Sequence, residues 1–119
     1  MRARMRAELS KGDSSRFDIK QDAGGIADLE FLVDYWVLKH AGDWPELVTY
    51  TDNVRQLEAL ERVGLVPARL AQHLTEAYLS FRRRLHGLAL ANAGRVIDGS
   101  EFAAERALVS QTWQRTFGD

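Results

Sequence analysis

Apolar residues recur at threes and fours through four stretches of this chain, with polar and glycine-rich punctuation between them. The densest is KQDAGGIADLEFLVDYWVLKHA, residues 20–41, where Ile26, Leu29, Val33, Trp36 and Val37 share one side and Phe31, Leu32, Tyr35 and Leu38 fill most of the rest. That distribution predicts a central helix covered by neighbours on nearly all sides, with both Trp36 and, later in the chain, Trp113 buried. Gly42, Asp43, Trp44 and Pro45 then make a turn, and residues 46–50 have room for one short helical turn. Thr51 or Asp52 offers an N-cap for a helix running to about Arg62, with Val54, Leu57 and Leu60 inward. Val66 and Pro67 open the longest helix, striped by Leu70, Leu74, Ala77 or Tyr78, Phe81, Leu85 and Leu88. Residues 92–100, NAGRVIDGS, break the periodicity; Ser100 is placed to cap a last helix whose inward side is Phe102, Val109, Trp113 and Phe117.

The front of the chain follows a different pattern. Residues 2–9 are basic and helix-prone, with Met1, Met5 and Leu9 in one apolar line, and the alternating FDIK of residues 17–20 suits a short extended segment. A lone strand needs a partner for its backbone groups, and nothing else in the chain clearly supplies one, so the chain reads as cut from something larger. The expected architecture is all-α: a mostly antiparallel, up-and-down bundle of four main helices plus an N-terminal helix and a short extended segment. Residues 1–24 are the N-terminal helix and lead-in, and residues 25–119 the bundle domain.

Composition narrows the function classes. A chain of 119 residues, 45% hydrophobic and 28% charged, fits one globular domain. Its net charge of -1 provides no global field for nucleic acid or anionic lipid, and no apolar run approaches a membrane span. The sequence has no cysteine, which excludes disulfides and thiolate metal sites.

Candidate chemistry gathers at the start of the central helix. Lys20 follows the extended segment and can reach a phosphate, with the Gly24 and Gly25 amides and the unpaired amides of the first helical turn as auxiliary donors. Asp28 and Glu30 lie in the first turns, where the helix dipole favours negative charge; being two apart they diverge, so they form no compact metal pair, and they repel a phosphate from their own side. His40, His73 and His86 are too far apart in sequence to make a ligand set by spacing, and are assigned to packing or solvent. Arg82, Arg83 and Arg84 point in three directions, and Glu46, Glu58, Glu61, Glu101 and Glu105 are the expected salt-bridge partners.

RFDIKQDAGGIADLEFLVDYWVLKHA at residues 16–41, YTDNVRQLEAL at 50–60 and YLSFRRRLHGL at 78–88 together resemble the helical domain that follows a nucleotidyltransferase domain in the bacterial glutamine synthetase adenylyltransferase/deadenylylase family. VSQTWQRTFGD at residues 109–119 resembles the end of such a polypeptide, which would place the piece in the second, adenylylating half. The resemblance implies AMP transfer from ATP to a tyrosine of glutamine synthetase, Mg2+ and ATP in the parent enzyme, control by a PII signalling protein and glutamine, and a cytoplasmic role in nitrogen assimilation. Lys20, Gly24, Gly25, Ile26, Asp28, Glu30, Phe31, Thr51, Asp52 and Asn53 match the family motif; Ala27 and Asp34 depart from it, where many members have arginine and glutamine. The family's catalytic Gly-Ser and strand-borne paired aspartates are missing, so the piece alone is expected to hold no metal pair and transfer nothing. Two readings follow: the helical part of a nucleotidyltransferase, with Lys20, Gly24 and Gly25 near nucleotide and the remaining motif residues at the domain interface, or a non-catalytic helical interaction and regulatory module.

Overall fold

Four helices form where the apolar spacing puts them. The computed structural model describes residues 15–118, so the helix expected over residues 2–9 lies outside it. In chain order the described residues form β1 (Arg16–Asp18), α1 (Ile26–His40), a 3-10 turn (Pro45–Thr49), α2 (Asn53–Arg62), α3 (Ala68–Leu90), β2 (Val96–Asp98) and α4 (Ala103–Phe117). Asp52 caps α2 by accepting the Val54 amide hydrogen at 2.9 Å, and Pro67, whose ring presets the backbone, stands immediately before α3. The result is an all-α bundle of four main helices with a short extended segment.

The longest helix, α3, is the shared wall. Its stripe of Leu74, Ala77, Tyr78, Phe81 and Leu88 is buried, and the Phe81 ring meets Phe17 of β1 at 6.2 Å in a tilted arrangement and Phe102 before α4 edge-to-face at 5.2 Å. Arg84 binds Glu101 through two hydrogen bonds of 3.1 and 3.2 Å near the start of α4, while His73 shares a groove with Leu108 further along, so α3 and α4 run antiparallel. The start of α1, with Ile26 and Glu30, lies by Arg82, Leu85 and His86 in the second half of α3.

The extended segment has a partner in its own chain. β1 pairs antiparallel with β2, Phe17 opposite Ile97, and both of these side chains are buried. The stretch expected to be only a break in periodicity therefore contains a strand, and the need for an external partner disappears for these residues. Arg106 holds the pair down: its guanidinium lies 3.9 Å from the centre of the Phe17 ring, and it donates to the Gly99 carbonyl at 2.7 Å.

Four further expectations change. Ser100 does not cap α4; its hydroxyl and amide both bond the Asp98 carboxylate, and Phe102 precedes the helix in a left-handed conformation with φ 59°. Such a backbone costs about 1–3 kcal/mol, part of which the edge-to-face contact with Phe81 offsets. On α1, Phe31 and Leu38 are exposed, so the helix is uncovered along one side. Trp36 is half-buried against the core rather than enclosed, whereas Trp113 is buried. Of the expected salt-bridge carboxylates, Glu101 meets Arg84, but Glu46 pairs with Arg62 at 3.4 Å.

Candidate functional site

Lys20 sits in a loop that Asp18 ties into shape. The Asp18 carboxylate accepts the Lys20 and Gln21 amides at 3.0 and 3.1 Å and the Arg95 guanidinium at 3.0 Å, while Asp22 accepts the Asp18 amide at 2.9 Å. Gly24 and Gly25 follow because backbone crowds them. A Cβ on Gly25 would lie 2.3 Å from the Ile19 carbonyl oxygen, and one on Gly24 would meet the Arg106 carbonyl oxygen at 2.7 Å from a backbone already at φ +81°.

The glycine amides and the first two amides of α1, expected to be unpaired, are engaged. Gly24 donates to the Asp28 carboxylate at 3.0 Å, Gly25 to the Asp22 carbonyl at 2.9 Å, Ile26 to Ile19 at 2.8 Å and Ala27 to Lys20 at 3.1 Å. The loop folds back over the helix start, so its own carbonyls take the place an anion would occupy. Asp28 is buried in this network, and Glu30 points elsewhere. No three His, Cys, Asp or Glu side chains among the described residues come together as a metal site.

Glu30 instead lines an open groove of about 400 Å³ with Lys20, Ile26, Arg82, Leu85 and His86. Ile26 and Leu85 are its apolar part; the cations come from the lead-in loop and from α3. Partial burial raises the Glu30 carboxyl above the ordinary carboxylate range, and Asp34 one turn along adds to the rise; Lys20 and Arg82 oppose it. Arg82 is steadied by the Tyr78 hydroxyl, with 3.1 Å between the guanidinium nitrogen and the phenol oxygen. A raised folded-state value favours the neutral acid, so its stabilising contribution is complete below the unfolded value near 4.5 and is lost as pH rises through the folded value. Glu30→Gln is therefore expected to raise the melting temperature slightly at pH 7 and to leave it unchanged at pH 4; thermal melts at the two pH values check this.

A family model described as GlnD PII-uridylyltransferase matches residues 1–98, the span that carries this groove, the glycine pair and the first three helices. The chain belongs to that family. Among curated relatives, the bifunctional glutamine synthetase adenylyltransferase/adenylyl-removing enzyme of Thioalkalivibrio sulfidiphilus is 47% identical over 115 residues, which cover 97% of this chain. The chain spans 12% of that relative's length.

The remaining motif positions of the family-matched span fall in two places. Asp52 is the α2 cap, Thr51 is exposed beside it, and Asn53 is buried, bonding Gln56 at 2.8 Å and reaching Asp34 of α1 at 3.4 Å. Asp34, one of the two departures from the commonest pattern, is thus an acceptor between helices. Phe31, 44% exposed, belongs to an aromatic cluster with Trp113 at 5.5 Å and Phe117 at 5.8 Å, joined by Tyr35 at 4.8 Å from Phe117. The fold brings Lys20, Ile26 and Glu30 together and leaves Phe31 and the residues 51–53 elsewhere. Sequence reasoning missed Asp18, Arg82 and His86 as neighbours of Lys20. The Asp18 and Asp22 pair around a turn was a usable local signal, whereas the α3 residues carried none. Among the described residues, no helix is long and apolar enough to cross a membrane.

Proposed function

We propose that this chain is the helical domain following the adenylylating nucleotidyltransferase domain of an enzyme that transfers AMP from ATP to a tyrosine of glutamine synthetase and removes it in its other half. The observation that carries this reading is the 47% identity to a glutamine synthetase adenylyltransferase/adenylyl-removing enzyme, spread over 97% of the chain. Residues 1–24 would lead in from the catalytic domain and residues 25–119 form the bundle, with Phe17 and Ile19, both fully buried, anchoring the lead-in. The described residues do not fit Mg2+, since they assemble no ligand set, so Mg2+ and the chemistry on ATP are assigned to the preceding domain. This chain's part is to hold Lys20 at the groove mouth facing that domain, to offer Glu30 to its donors, and to keep the approach rigid through the loop and glycine pair. Gly24 and Gly25 contribute through the close approach they allow. The partners under this reading are glutamine synthetase and a PII signalling protein, in the cytoplasm.

A second reading, a non-catalytic interaction and regulatory module, is favoured by the exposed Phe31 and Leu38 on α1. The two separate in one assay. With labelled ATP, Mg2+ and unmodified glutamine synthetase, the 119-residue chain is expected to transfer no label, and the protein extended by its catalytic domain is expected to transfer it. In that longer protein Lys20→Ala should lower kcat/KM about tenfold, the worth of one charge-assisted contact made in the transition state. Arg83→Ala, on an exposed residue outside the groove lining, should do much less. An unchanged kcat/KM for Lys20→Ala would favour the interaction module.

A further inference from the structure

The groove between the lead-in loop and α3 gathers charge that the helix start itself does not use. Lys20 reaches it from the loop, and Arg82 and His86, one helical turn apart, reach it from α3. Among the described residues, the Lys20 ammonium, the Glu30 carboxylate and the His86 ring have no hydrogen-bond or ion-pair partner. Arg82 uses one nitrogen on Tyr78, which fixes the guanidinium and leaves its other N–H groups for a ligand. The chain's net charge is only -1, so this concentration of cations is local and does not reflect a generally basic surface.

We infer that the Lys20–Arg82–His86 groove is a binding site for a compact phosphoanion, pyrophosphate being the best match, with Glu30 as a built-in competitor for the same cations. Donors arrive from separate directions: an ammonium, a planar guanidinium and an imidazole. A tetrahedral phosphate group offers oxygens in all of those directions, whereas a single planar carboxylate has two oxygens in one plane. Ile26 and Leu85 form the apolar wall of the groove between these donors. A volume of about 400 Å³ accommodates a diphosphate.

Glu30 makes the site proton-dependent. The charges acting on it are Asp34 on its own helix, Lys20 from the loop and Arg82 from α3; His86 lines the same groove, and Asp52 acts on Arg82. As an anion the carboxylate repels phosphate. Once protonated it no longer repels and its O–H becomes a fourth donor, so anion binding takes up a proton and tightens as pH falls. Where AMP is transferred from ATP, pyrophosphate is the group that leaves, so a site for it here would receive the phosphate end of the reaction. That role rests on the function proposed above; the binding itself does not.

The test is titration of inorganic pyrophosphate into the 119-residue chain at constant ionic strength, followed by the side-chain NMR signals of Arg82 and His86. Saturable shifts are expected. Lys20→Ala and Arg82→Ala should each weaken binding about three- to fivefold, the size of an exposed charge contact. Glu30→Gln should tighten it at pH 7.5 and flatten its pH dependence. Orthophosphate and AMP, run in parallel, separate a diphosphate site from one for any phosphate group: binding of either as tight as pyrophosphate would overturn the diphosphate assignment. Shifts that do not saturate, or are matched by sulfate, would overturn the site. So would no gain for Glu30→Gln, or preference for an acidic peptide, which would make the groove a protein-docking surface. None of these readouts depends on AMP transfer, so failure here leaves the proposed function standing, and failure of the transfer assay leaves the anion site standing.

Discussion

Phe81→Ala should destabilise the chain by about 3–5 kcal/mol, measured by denaturant unfolding. The ring is fully buried at the point where α3 meets both the strand pair and the start of α4. Removing it leaves a cavity lined by Phe17 and Phe102, two rings whose own positions depend on it. Phe17 is also held by the Arg106 guanidinium over its ring, which resists its moving in to fill the space. Phe102 holds an unfavourable left-handed backbone that loses its compensation. The same substitution should weaken β1–β2 pairing before the helices melt, seen as faster amide exchange at Phe17 and Ile97 than at Leu74. A loss under about 1 kcal/mol would mean that the three rings are not the junction of the fold.

Gly25→Ala should cost about 2–4 kcal/mol, from overpacking together with a strained or lost hydrogen bond. The added methyl would lie 2.3 Å from the Ile19 carbonyl oxygen, a backbone atom that cannot swing aside like a flexible side chain. That same carbonyl accepts the Ile26 amide at 2.8 Å, so moving it opens the first turn of α1 and disturbs Ile19, which is fully buried. Gly87→Ala is the matched comparison: it lies inside α3 with nothing within 4 Å of a new Cβ, and should stabilise by about 0.5–1 kcal/mol through helix propensity. Opposite signs for the two substitutions, read from denaturant midpoints, are the expected outcome. Equal effects would show that the loop does not close on the helix start.

The opposite expectations for two glycines show how the reading of local sequence and the reading of structure divide. A glycine pair before an apolar run signals permissive backbone. Whether that permission serves a ligand or a neighbouring carbonyl depends on where the preceding residues return. Here they return over the helix end: Ile19 and Lys20 supply acceptors for the Ile26 and Ala27 amides, so a phosphate would have to displace them.

The helices were legible because their causes are local. The stripe on α3, the Asp52 cap and the proline before Ala68 each act within a few residues, and a period near 3.6 sustained over several turns leaves little choice of structure. The order of the FDIK, glycine and TDN elements likewise sufficed to suggest the family. What the tertiary structure decided were the meetings between segments. A strand of three residues has too few alternations to announce itself, so β2 emerged only where Ile97 found Phe17 across the fold. The exposure of Phe31 and Leu38 depended on which sides of α1 the other helices cover, and a dense apolar run cannot specify that. The groove joins Lys20 to Arg82 and His86 because the second half of α3 passes the start of α1, and helix periodicity gives the face a side chain occupies without giving the neighbour it will meet.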